Sequence, residues 1–387
     1  MIYNAGYFQF GDVSSSDYNV WISGGKTFDA PDRDVEFISV DGRNGDLIQD
    51  NKRFQNIEVT YPAFISRTFL TDFDRFRSEM FRQNGYRRLW DSYHPLEYRM
   101  AALVSGIRPD TTVANRGGKF DITFNCRPQR YLIDGSEYVT YYPVSNGGFN
   151  ASGVSIDDAY TYRIEYMPVT PGKTFKASAS YADTSIHSEV LTVAFYTSAK
   201  TGISTTPSAS GNDQSVEVTV PSNAAYARVM YGAFMSTTKF TLTIDNNGVV
   251  TTYSDGGPLL VNPTGYVAQP IISAQNAKLI QVQRLGANNN VSGDVTTVTV
   301  SDYSGTGRTD CVIDSVIGDA YSEEIFGMAA AIVNLNPYVT ITEGGVLSDY
   351  PTLGPGANII NTATNDSGLS NTDCFTSVKI KAGWWHI

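Results

Sequence analysis

The chain holds little of the side-chain chemistry on which enzymes and metal proteins depend. Its 387 residues include only three histidines and three cysteines, namely His94, His187, His386, Cys126, Cys311 and Cys374. No histidine stands in an HExxH pattern and no two cysteines form a CxxC pair, which argues against a zinc site. The cysteines are also too few for a disulfide framework, so we expect buried thiols in a protein made in a reducing cytoplasm.

Motifs for nucleophilic or phosphate chemistry are missing as well. The sequence has no GxSxG elbow, no Walker A loop and no GxGxxG that opens a helix. The segment GTGRTD (305–310) lacks the Lys-Ser/Thr of a phosphate loop and is typical of a plain turn. Asp157 and Asp158 are adjacent in a turn-rich segment, where two carboxylates rarely converge on one glycosidic bond. We therefore predict that the protein is not an enzyme and has no catalytic residue, metal or cofactor.

Charge is sparse and mostly negative. Charged residues make up 17% of the chain, and 28 basic against 39 acidic residues give a formal charge of −11. A protein held on nucleic acid by phosphate neutralisation needs a concentrated basic surface, so we expect no specific nucleic-acid binding.

Long apolar runs and a leader are absent too. The strongest candidate for a membrane span, 325–342, is interrupted by Asn334, Asn336 and Pro337, so we expect no membrane association. The N-terminal segment MIYNAGYFQFGD lacks the basic start and apolar run of a signal peptide, and we expect none.

What the chain does contain is typical of a β-rich protein with true hydrophobic cores. Hydrophobic residues reach 41% and aromatic residues 12%. One helix is predicted over 71–84, capped by Thr71 and followed by Gly85. Its evidence is helical spacing of five apolar residues, namely Phe69, Phe73, Phe76, Met80 and Phe81.

Short alternating segments predict strands along the rest of the chain. In the first third they lie at 34–40, 55–65, 100–107 and 119–129, and the polar segment between the first two is predicted to be a connection. A short helix is also predicted within 323–336.

Two segments rich in turn residues divide the chain. They are PVSNGGFNASGVSIDD (143–158) and TTYSDGG (251–257). We predict three domains, 1–142, 143–255 and 256–387, of which the last two are β-sandwiches because their short strands alternate with turns.

Basic residues concentrate in the first predicted domain, where 17 of the 28 lie within 1–140. Interleaved acidic residues favour a solvated, salt-bridged surface, whereas the known preference for arginine at interfaces favours a contact between subunits. Both interpretations stay open, and the candidates for a subunit contact are Arg75, Arg77 and Arg82.

Segments at both ends of the chain resemble the distal tail protein of long-tailed phages that infect Gram-positive bacteria. The family has a GRxGxL stretch, a helix, an R-L-x-D-x-x-x-P-x-x-Y motif and a closing strand. The matching segments are VDGRNGDLIQDNKRFQNIEVTYPAFI (40–65), YRRLWDSYHPLEYRMAAL (86–103), FNCRPQRYL (124–132), LLVNPTGYVAQPII (259–272), VIDSVIGDAY (312–321), YPTLGPGANII (350–360) and VKIKAGWWHI (378–387). The chain departs from the family's usual R-W-W ending, because Ala382 and Gly383 precede its two tryptophans.

The resemblance implies a virion component at the tail tip, assembled in the host cytoplasm. It implies a homo-hexameric ring formed by an N-terminal β domain with one helix, and a galectin-like C-terminal β-sandwich. The ring joins the tail tube protein to the tail-tip protein, tail-associated lysin or baseplate protein, and DNA passes through its channel without specific binding.

The middle domain looks like an insertion into that family's plan. Its segments YRIEYMPVTPGKTFKASASY (162–181), VAFYTSAKTGIS (193–204) and VTVPSNAAYARVMY (218–231) are similar to carbohydrate-binding, jelly-roll-like sandwich modules. This similarity implies binding of host cell-wall saccharide during adsorption. Sugar recognition uses aromatic faces and planar hydrogen-bonding groups, and the candidates are Tyr181, Tyr196, Tyr231, Arg163, Arg228 and Asp183.

Two other classes of function remain open at this point. One is a bacterial surface protein that binds carbohydrate, and the other is the non-catalytic binding module of a glycan-degrading system. Oligomeric state separates them from the tail protein, because only the tail protein is expected to form rings.

Overall fold

The computed structural model describes residues 6–24, 28–111, 116–158, 161–181, 190–232, 240–254, 257–275, 279–285, 291–301, 310–322, 333–363 and 377–387. Over these residues the protein is mainly β with a single α-helix, which confirms the predicted fold class at that level. The chain packs as two compact units. Unit 1 is Met1–Ser136 together with Trp385–Ile387, and unit 2 is Glu137–Trp384.

Unit 1 is built from short strands, one helix and a 3-10 turn at Ser15–Tyr18. Its elements up to residue 136 are β1 (Phe8–Phe10), β2 (Val13–Ser14), β3 (Trp21–Ile22), β4 (Arg33–Ile38), β5 (Leu47–Phe54), β6 (Ile57–Ile65), α1 (Phe69–Arg82), β7 (Arg87–Asp91), β8 (Glu97–Leu103), β9 (Asp110–Thr111) and β10 (Gly118–Leu132).

Unit 2 contains strands and a 3-10 turn at Asn336–Tyr338 in its described residues. The strands up to residue 254 are β11 (Val139–Tyr141), β12 (Val144–Asn146), β13 (Gly148–Phe149), β14 (Ser155–Ile156), β15 (Thr161–Pro168), β16 (Thr174–Tyr181), β17 (Thr192–Tyr196), β18 (Gly202–Pro207), β19 (Asp213–Thr219), β20 (Tyr226–Gly232), β21 (Phe240–Asn246) and β22 (Val249–Ser254).

The later strands of unit 2 are β23 (Gly257–Asn262), β24 (Ile271–Ala274), β25 (Leu279–Leu285), β26 (Val291–Val300), β27 (Cys311–Asp314), β28 (Asp319–Ser322), β29 (Val333–Asn334), β30 (Val339–Glu343), β31 (Val346–Leu347), β32 (Gly356–Ala363) and β33 (Val378–Lys381). The last strand of the chain, β34 (Trp385–His386), belongs to unit 1.

The main sheet of unit 1 is antiparallel, with the order β2-β1-β7-β8-β10-β6-β3. Strand β10 pairs with four other strands of this sheet. These are β6, from Gly118 to Cys126, and β8, β9 and the last strand β34. Alternate residues of β10 are buried, so one face of the sheet points into the core.

Helix α1 covers that core. Phe69, Phe73, Phe76 and Met80 are buried at helical spacing, and the ring of Phe73 meets that of Phe120 edge-on at 5.1 Å. The helical spacing of these apolar residues therefore predicts the buried face of the helix correctly.

The predicted bounds of the helix are shifted. The helix begins at Phe69 and ends at Arg82, and Thr68 rather than Thr71 is its N-cap. The ring of Phe69 stacks on that of Phe73, with the centroids 4.9 Å apart. This contact between residues four apart is typical of a helix, and it places Phe69 in the first turn of α1.

The predicted connection between the first two strands is wrong. It contains β5, which pairs with β4 in a separate two-stranded sheet. The sequence conceals this strand because its residues are exposed on both faces, so no apolar alternation marks it. Of the helix predicted within 323–336, residues 323–332 lie outside the described residues, and Val333–Asn334 form β29.

In unit 2, β13 and β14 pair in a small sheet of their own, and the other strands from residues 144 to 254 form two facing sheets. One has the order β12-β15-β20-β17-β18, and the other contains β19-β16-β21-β22. The buried rings of Phe175 on β16 and Phe195 on β17 meet edge-on at 6.0 Å between the sheets.

The second of these sheets continues into later strands through the β22–β23 hairpin, with the order β23-β32-β25-β26-β30-β31. Tyr253 lies at this junction: it is fully buried, its ring meets Tyr141 edge-on at 5.7 Å, and its hydroxyl accepts the N–H of Tyr142 at 3.0 Å. The division of the chain at residues 142 and 255 stays a prediction.

Two phenylalanines of α1 provide a matched test of this core. Phe76 is fully buried and Phe81 is 47% exposed. We expect Phe76→Ala to lower the free energy of unfolding of unit 1 by about 3–5 kcal/mol because it leaves a cavity. Phe81→Ala is expected to change it by less than about 0.5 kcal/mol. Hydrogen exchange of the unit 1 amides measures both, and equal losses would contradict the assigned helix face.

Candidate functional site

The arginines predicted at a subunit contact lie on the solvent face of α1. Arg75, Arg77 and Arg82 are all exposed. The guanidinium of Arg77 is 3.0 Å from the carboxylate of Asp74, and that of Arg75 lies 5.5 Å from the ring centroid of Tyr18. Such exposed contacts hold a side chain only weakly. Arg82 likewise pairs with Glu79, and Asp72, Asp74 and Glu79 balance the three arginines of the helix. The role of this face as a subunit contact stays a prediction.

The β4–β5 hairpin exposes apolar side chains to solvent. Phe37 and Ile48 face each other across the two strands, and each is 64% exposed. Leu47 and Ile38 form the next pair and are 41% and 44% exposed. The two pairs point to opposite faces of the two-stranded sheet, and exposed apolar side chains of this kind mark interaction sites in soluble proteins.

The GRxGxL stretch forms the tip of this hairpin. Gly42 and Gly45 have φ values of +78° and +86°, which residues other than glycine rarely adopt. Leu47 then begins β5. The pattern of the motif therefore follows from the turn that connects β4 to β5.

The R-L-x-D-x-x-x-P-x-x-Y motif forms the β7–β8 connection. The carboxylate of Asp91 accepts the N–H groups of Tyr93 and His94 at 2.9 and 3.0 Å, and it also accepts the hydroxyl of Tyr61 at 2.8 Å. The guanidinium of Arg88 lies 4.2 Å from the ring centroid of Tyr98. These contacts fix the turn on the core of unit 1.

Glu97, at the end of the same motif, binds the C-terminal strand. Its Oε1 is 2.8 Å from Nε2 of His386, and its Oε2 is 3.4 Å from Nη1 of Arg130. Strand β34 also pairs with β10 through Arg130 opposite His386 and Tyr131 opposite Trp385. Sequence analysis missed this contact, since 289 residues separate Glu97 from His386.

Electrostatics favour the ionised form of Glu97. Burial acts to raise its pKa, but the hydrogen bond from His386 and the charge of Arg130 outweigh burial, so the pKa is lowered from its usual 4.5. Nearby Arg99 is buried, and burial lowers the pKa of its guanidinium. Three of the segments that resemble the tail protein, 86–103, 124–132 and 378–387, thus meet in one charged network.

In unit 2, two of the predicted sugar-binding residues form an ion cluster. Both Arg163 and Arg228 are buried, and both contact Glu165: Arg163 Nε is 3.0 Å from Oε1, and Arg228 Nη2 is 2.9 Å from Oε2. Arg228 also lies 4.7 Å from the ring centroid of Tyr166. Glu165 was missed, although its spacing of two residues from Arg163 in a strand places both on one face.

The predicted tyrosines are also buried rather than open. Tyr196 and Tyr231 are each 1% exposed, and Tyr181 is 4% exposed. The hydroxyl of Tyr196 donates to the carbonyl of Gly153 at 2.7 Å, and burial raises the pKa of this tyrosine. These rings present no accessible face on which a sugar can stack, contrary to the expectation. Asp183 lies outside the described residues.

The described residues contain no group of three or more His, Cys, Asp or Glu side chains placed to hold a metal ion. Within them, no helix is long and apolar enough to cross a membrane. Cys126 and Cys311 are buried free thiols, and burial raises the pKa of each to about 12, so both are poor nucleophiles. Cys374 lies outside the described part of the chain.

No family model and no curated protein matches the chain. Solved structures do. One is the SPP1 Dit (gp 19.1) protein, described as a paradigm of the hub adsorption apparatus in phages that infect Gram-positive bacteria. It is 11% identical, with 59% of this chain and 98% of that chain covered and a TM-score of 0.29.

The other two are structures of the phage p2 baseplate in its activated conformation, with strontium and with calcium. Each is 9% identical, with 93% of this chain and 99% of that chain covered and a TM-score of 0.34. The chain is thus similar to phage hub and baseplate proteins.

The Glu97 network makes the stability of unit 1 depend on pH. Because the pKa of Glu97 is lower in the folded chain than its usual 4.5, the ion pairs stabilise unit 1 above that pH and are lost as the pH falls through the lowered pKa. We expect Glu97→Gln to cost on the order of 1 kcal/mol near neutral pH and to flatten the loss of stability below pH 4.5.

The matched control is Glu58→Gln, which removes an exposed carboxylate from β6 in the same unit. It is expected to leave both stability and pH dependence close to those of the parent chain. Unfolding measured by hydrogen exchange between pH 3 and pH 7, roughly the range in which carboxylates titrate, makes the comparison. A parallel pH profile for Glu97→Gln and the parent chain would remove Glu97 from this role.

Proposed function

We propose that the chain is a structural, non-catalytic subunit of a phage tail tip. Copies assemble through unit 1 into a ring, hexameric as the sequence resemblance implies. This ring joins the tail tube to the tail-tip or baseplate proteins and leaves a channel for DNA. The observation that carries the proposal is the β4–β5 hairpin, whose apolar side chains are exposed in a single chain.

The β4–β5 hairpin is expected to need a partner surface that covers it. A two-stranded sheet is marginal on its own in water, and this one pairs with no other described strand. Covering Phe37 and Ile48 contributes about 1.5–3 kcal/mol for each side chain fully removed from water. A neighbouring copy that offers the same receiving surface in turn repeats the contact, and a repeated head-to-tail contact closes into a ring when its rotation permits.

The N-terminal segments that carry the resemblance support the same unit as the ring-forming part. The GRxGxL stretch shapes the hairpin tip, and the R-L-x-D-x-x-x-P-x-x-Y motif fixes the β7–β8 turn beside Glu97. The closing strand β10 and the C-terminal β34 complete the sheet. Exposed Arg75, Arg77 and Arg82 add positive charge to this unit.

We expect the double variant Phe37→Ser/Ile48→Ser to shift the purified full-length chain from a ring of several subunits to a monomer at micromolar concentration. The reason is loss of the apolar pair that a neighbour covers. Val249→Ser/Val250→Ser is the matched control, because these residues are 55% and 54% exposed on a hairpin of unit 2. Mass photometry counts the subunits, and negative-stain images show whether the oligomer has a central hole.

Rings that survive in the Phe37/Ile48 variant would exclude the hairpin as the main subunit contact. A parent chain that is monomeric under all conditions would instead support a carbohydrate-binding protein. The same assay tests the helix face, with Arg75→Glu/Arg77→Glu compared with reversal of exposed Lys173 in unit 2.

We also propose that residues 143–255 bind host cell-wall saccharide during adsorption. The support is the similarity to sandwich modules that bind carbohydrate, together with the two facing sheets joined by Phe175 and Phe195. Since the predicted tyrosines and arginines are buried, contact falls to other groups of the module. Several weak sites on one ring gain strength through multivalency, on the order of a hundredfold or more.

Cell binding by a tagged full-length chain and by a chain that lacks 145–252 tests the adhesion role. This deletion keeps Tyr253, which packs on Tyr141 and accepts the N–H of Tyr142. We expect rings in both cases and a loss of at least about tenfold in binding to host cells for the deletion, because the multivalent contact is gone. Equal binding by two intact ring populations would leave the module as a spacer or docking surface.

A further inference from the structure

A concave surface of unit 1 lies on the face of the main sheet that points away from α1. Phe8 on β1 points toward the helix, where its ring meets that of Phe76 with the centroids 6.3 Å apart. Side chains alternate along a strand, so Gln9 points to the other face, and Trp90 lies opposite Gln9 in the β1–β7 register. The concavity forms around these two residues and has a volume of about 410 Å³.

Aromatic and apolar side chains form much of the lining of this concavity, namely Tyr7, Trp90, Pro95 and Ile133. The rings of Tyr7 and Trp90 are half-buried, with their centroids 5.4 Å apart. The indole N–H of Trp90 donates to the carbonyl of Pro95 at 3.1 Å, which fixes the orientation of the ring. The concavity therefore offers a preformed apolar surface that the side chains of another molecule can cover.

The β4–β5 hairpin of the same chain carries a group of matching chemistry. Phe37 and Ile48 lie directly opposite each other on its two strands, and each is 64% exposed. Residues in this arrangement have Cβ atoms about 4.5–5.5 Å apart, so the two side chains form one apolar projection, the Phe37–Ile48 pair. A cavity of about 150 Å³ holds a benzene ring. The concavity is larger than this, so it has room for the ring of Phe37 and for the side chain of Ile48.

The two surfaces do not meet within one chain. The Phe37–Ile48 pair is exposed, so the hairpin of a chain does not fill the concavity of that chain. A contact between them therefore joins two copies through two different patches, which is a head-to-tail contact. Its repetition closes into a ring when the rotation between neighbours permits.

We infer that the concavity around Tyr7 and Trp90 receives the Phe37–Ile48 pair of a second copy of this chain. The inference rests on the proposed ring, and it names the surface of the neighbour that the hairpin covers. A second copy is a better occupant than a free ligand, because the contact removes two exposed apolar surfaces from water at once.

Two variants of the concavity test this assignment in the full-length chain. Gln9 is an exposed residue of the lining, so Gln9→Arg preserves the core of unit 1 but fills space that Phe37 needs. We expect it to convert rings into monomers at micromolar concentration. Trp90→Ala is expected to weaken each subunit contact about tenfold to a hundredfold, because apolar contact is lost. Mass photometry counts the subunits. The control is Glu58→Arg, at an exposed residue of β6 outside the concavity, which is expected to leave the rings intact.

Cross-linking tests the pairing directly, even where a single contact is weak. A chain with Gln9→Cys is mixed with an equal amount of a chain with Ile48→Cys and treated with a short bismaleimide. We expect a covalent dimer that contains one copy of each variant, identified by mass spectrometry of the linked peptides. The control mixture pairs Glu58→Cys with Ile48→Cys and is expected to give at least about tenfold less dimer, because Glu58 does not line the concavity. The parent chain shows the background from its native thiols.

The inference and the ring proposal fail in different ways. Rings of Gln9→Arg that match those of the parent chain would place the receiving surface elsewhere and leave the ring proposal intact. Equal cross-linking of Ile48→Cys to Gln9→Cys and to Glu58→Cys would overturn the inference in the same way. A parent chain that is monomeric under all conditions would contradict the ring itself, and the docking contact with it.

Discussion

The carboxylate of Glu97 lies where three strands of unit 1 meet, and its contacts join the last strand of the chain to the main sheet. It lies on β8, pairs with Arg130 on β10 and contacts His386 on β34. The partial burial of this carboxylate is offset by Arg130 and His386, and both partners reach it only when the three strands are in register. The turn fixed by Asp91 delivers Glu97 to that position, which links the local motif to the last strand of the chain.

The sequence predicts those features of the fold that follow from local periodicity. The apolar spacing from Phe69 to Met80 identifies the buried face of α1, and alternation along 119–129 identifies β10. Strand β5 could not be predicted because both of its faces are exposed, so no alternation of apolar and polar residues marks it. The contact between Glu97 and His386 could not be predicted from the sequence, because no local pattern connects residues so far apart.

The candidate sugar residues show a different limit of sequence reasoning. Every residue of β17 is buried, so alternation along that strand carries no signal that the ring of Tyr196 is covered. The buried guanidinium groups of Arg163 and Arg228 both contact one carboxylate, that of Glu165. Arginine and tyrosine in a sandwich module are thus as consistent with a polar core as with a binding face, and only burial separates the two.

Unit 1 is formed by two separate parts of the chain, and this arrangement sets the order in which its strands are synthesised. Its last strand, Trp385–His386, follows all of Glu137–Trp384 along the chain. A ribosome therefore makes the whole of unit 2 before β10 acquires this neighbour and before Glu97 meets His386. The nascent chain thus carries unit 1 with its sheet still unfinished while unit 2 is made. The topology thereby delays the completion of unit 1 until translation has passed residue 386.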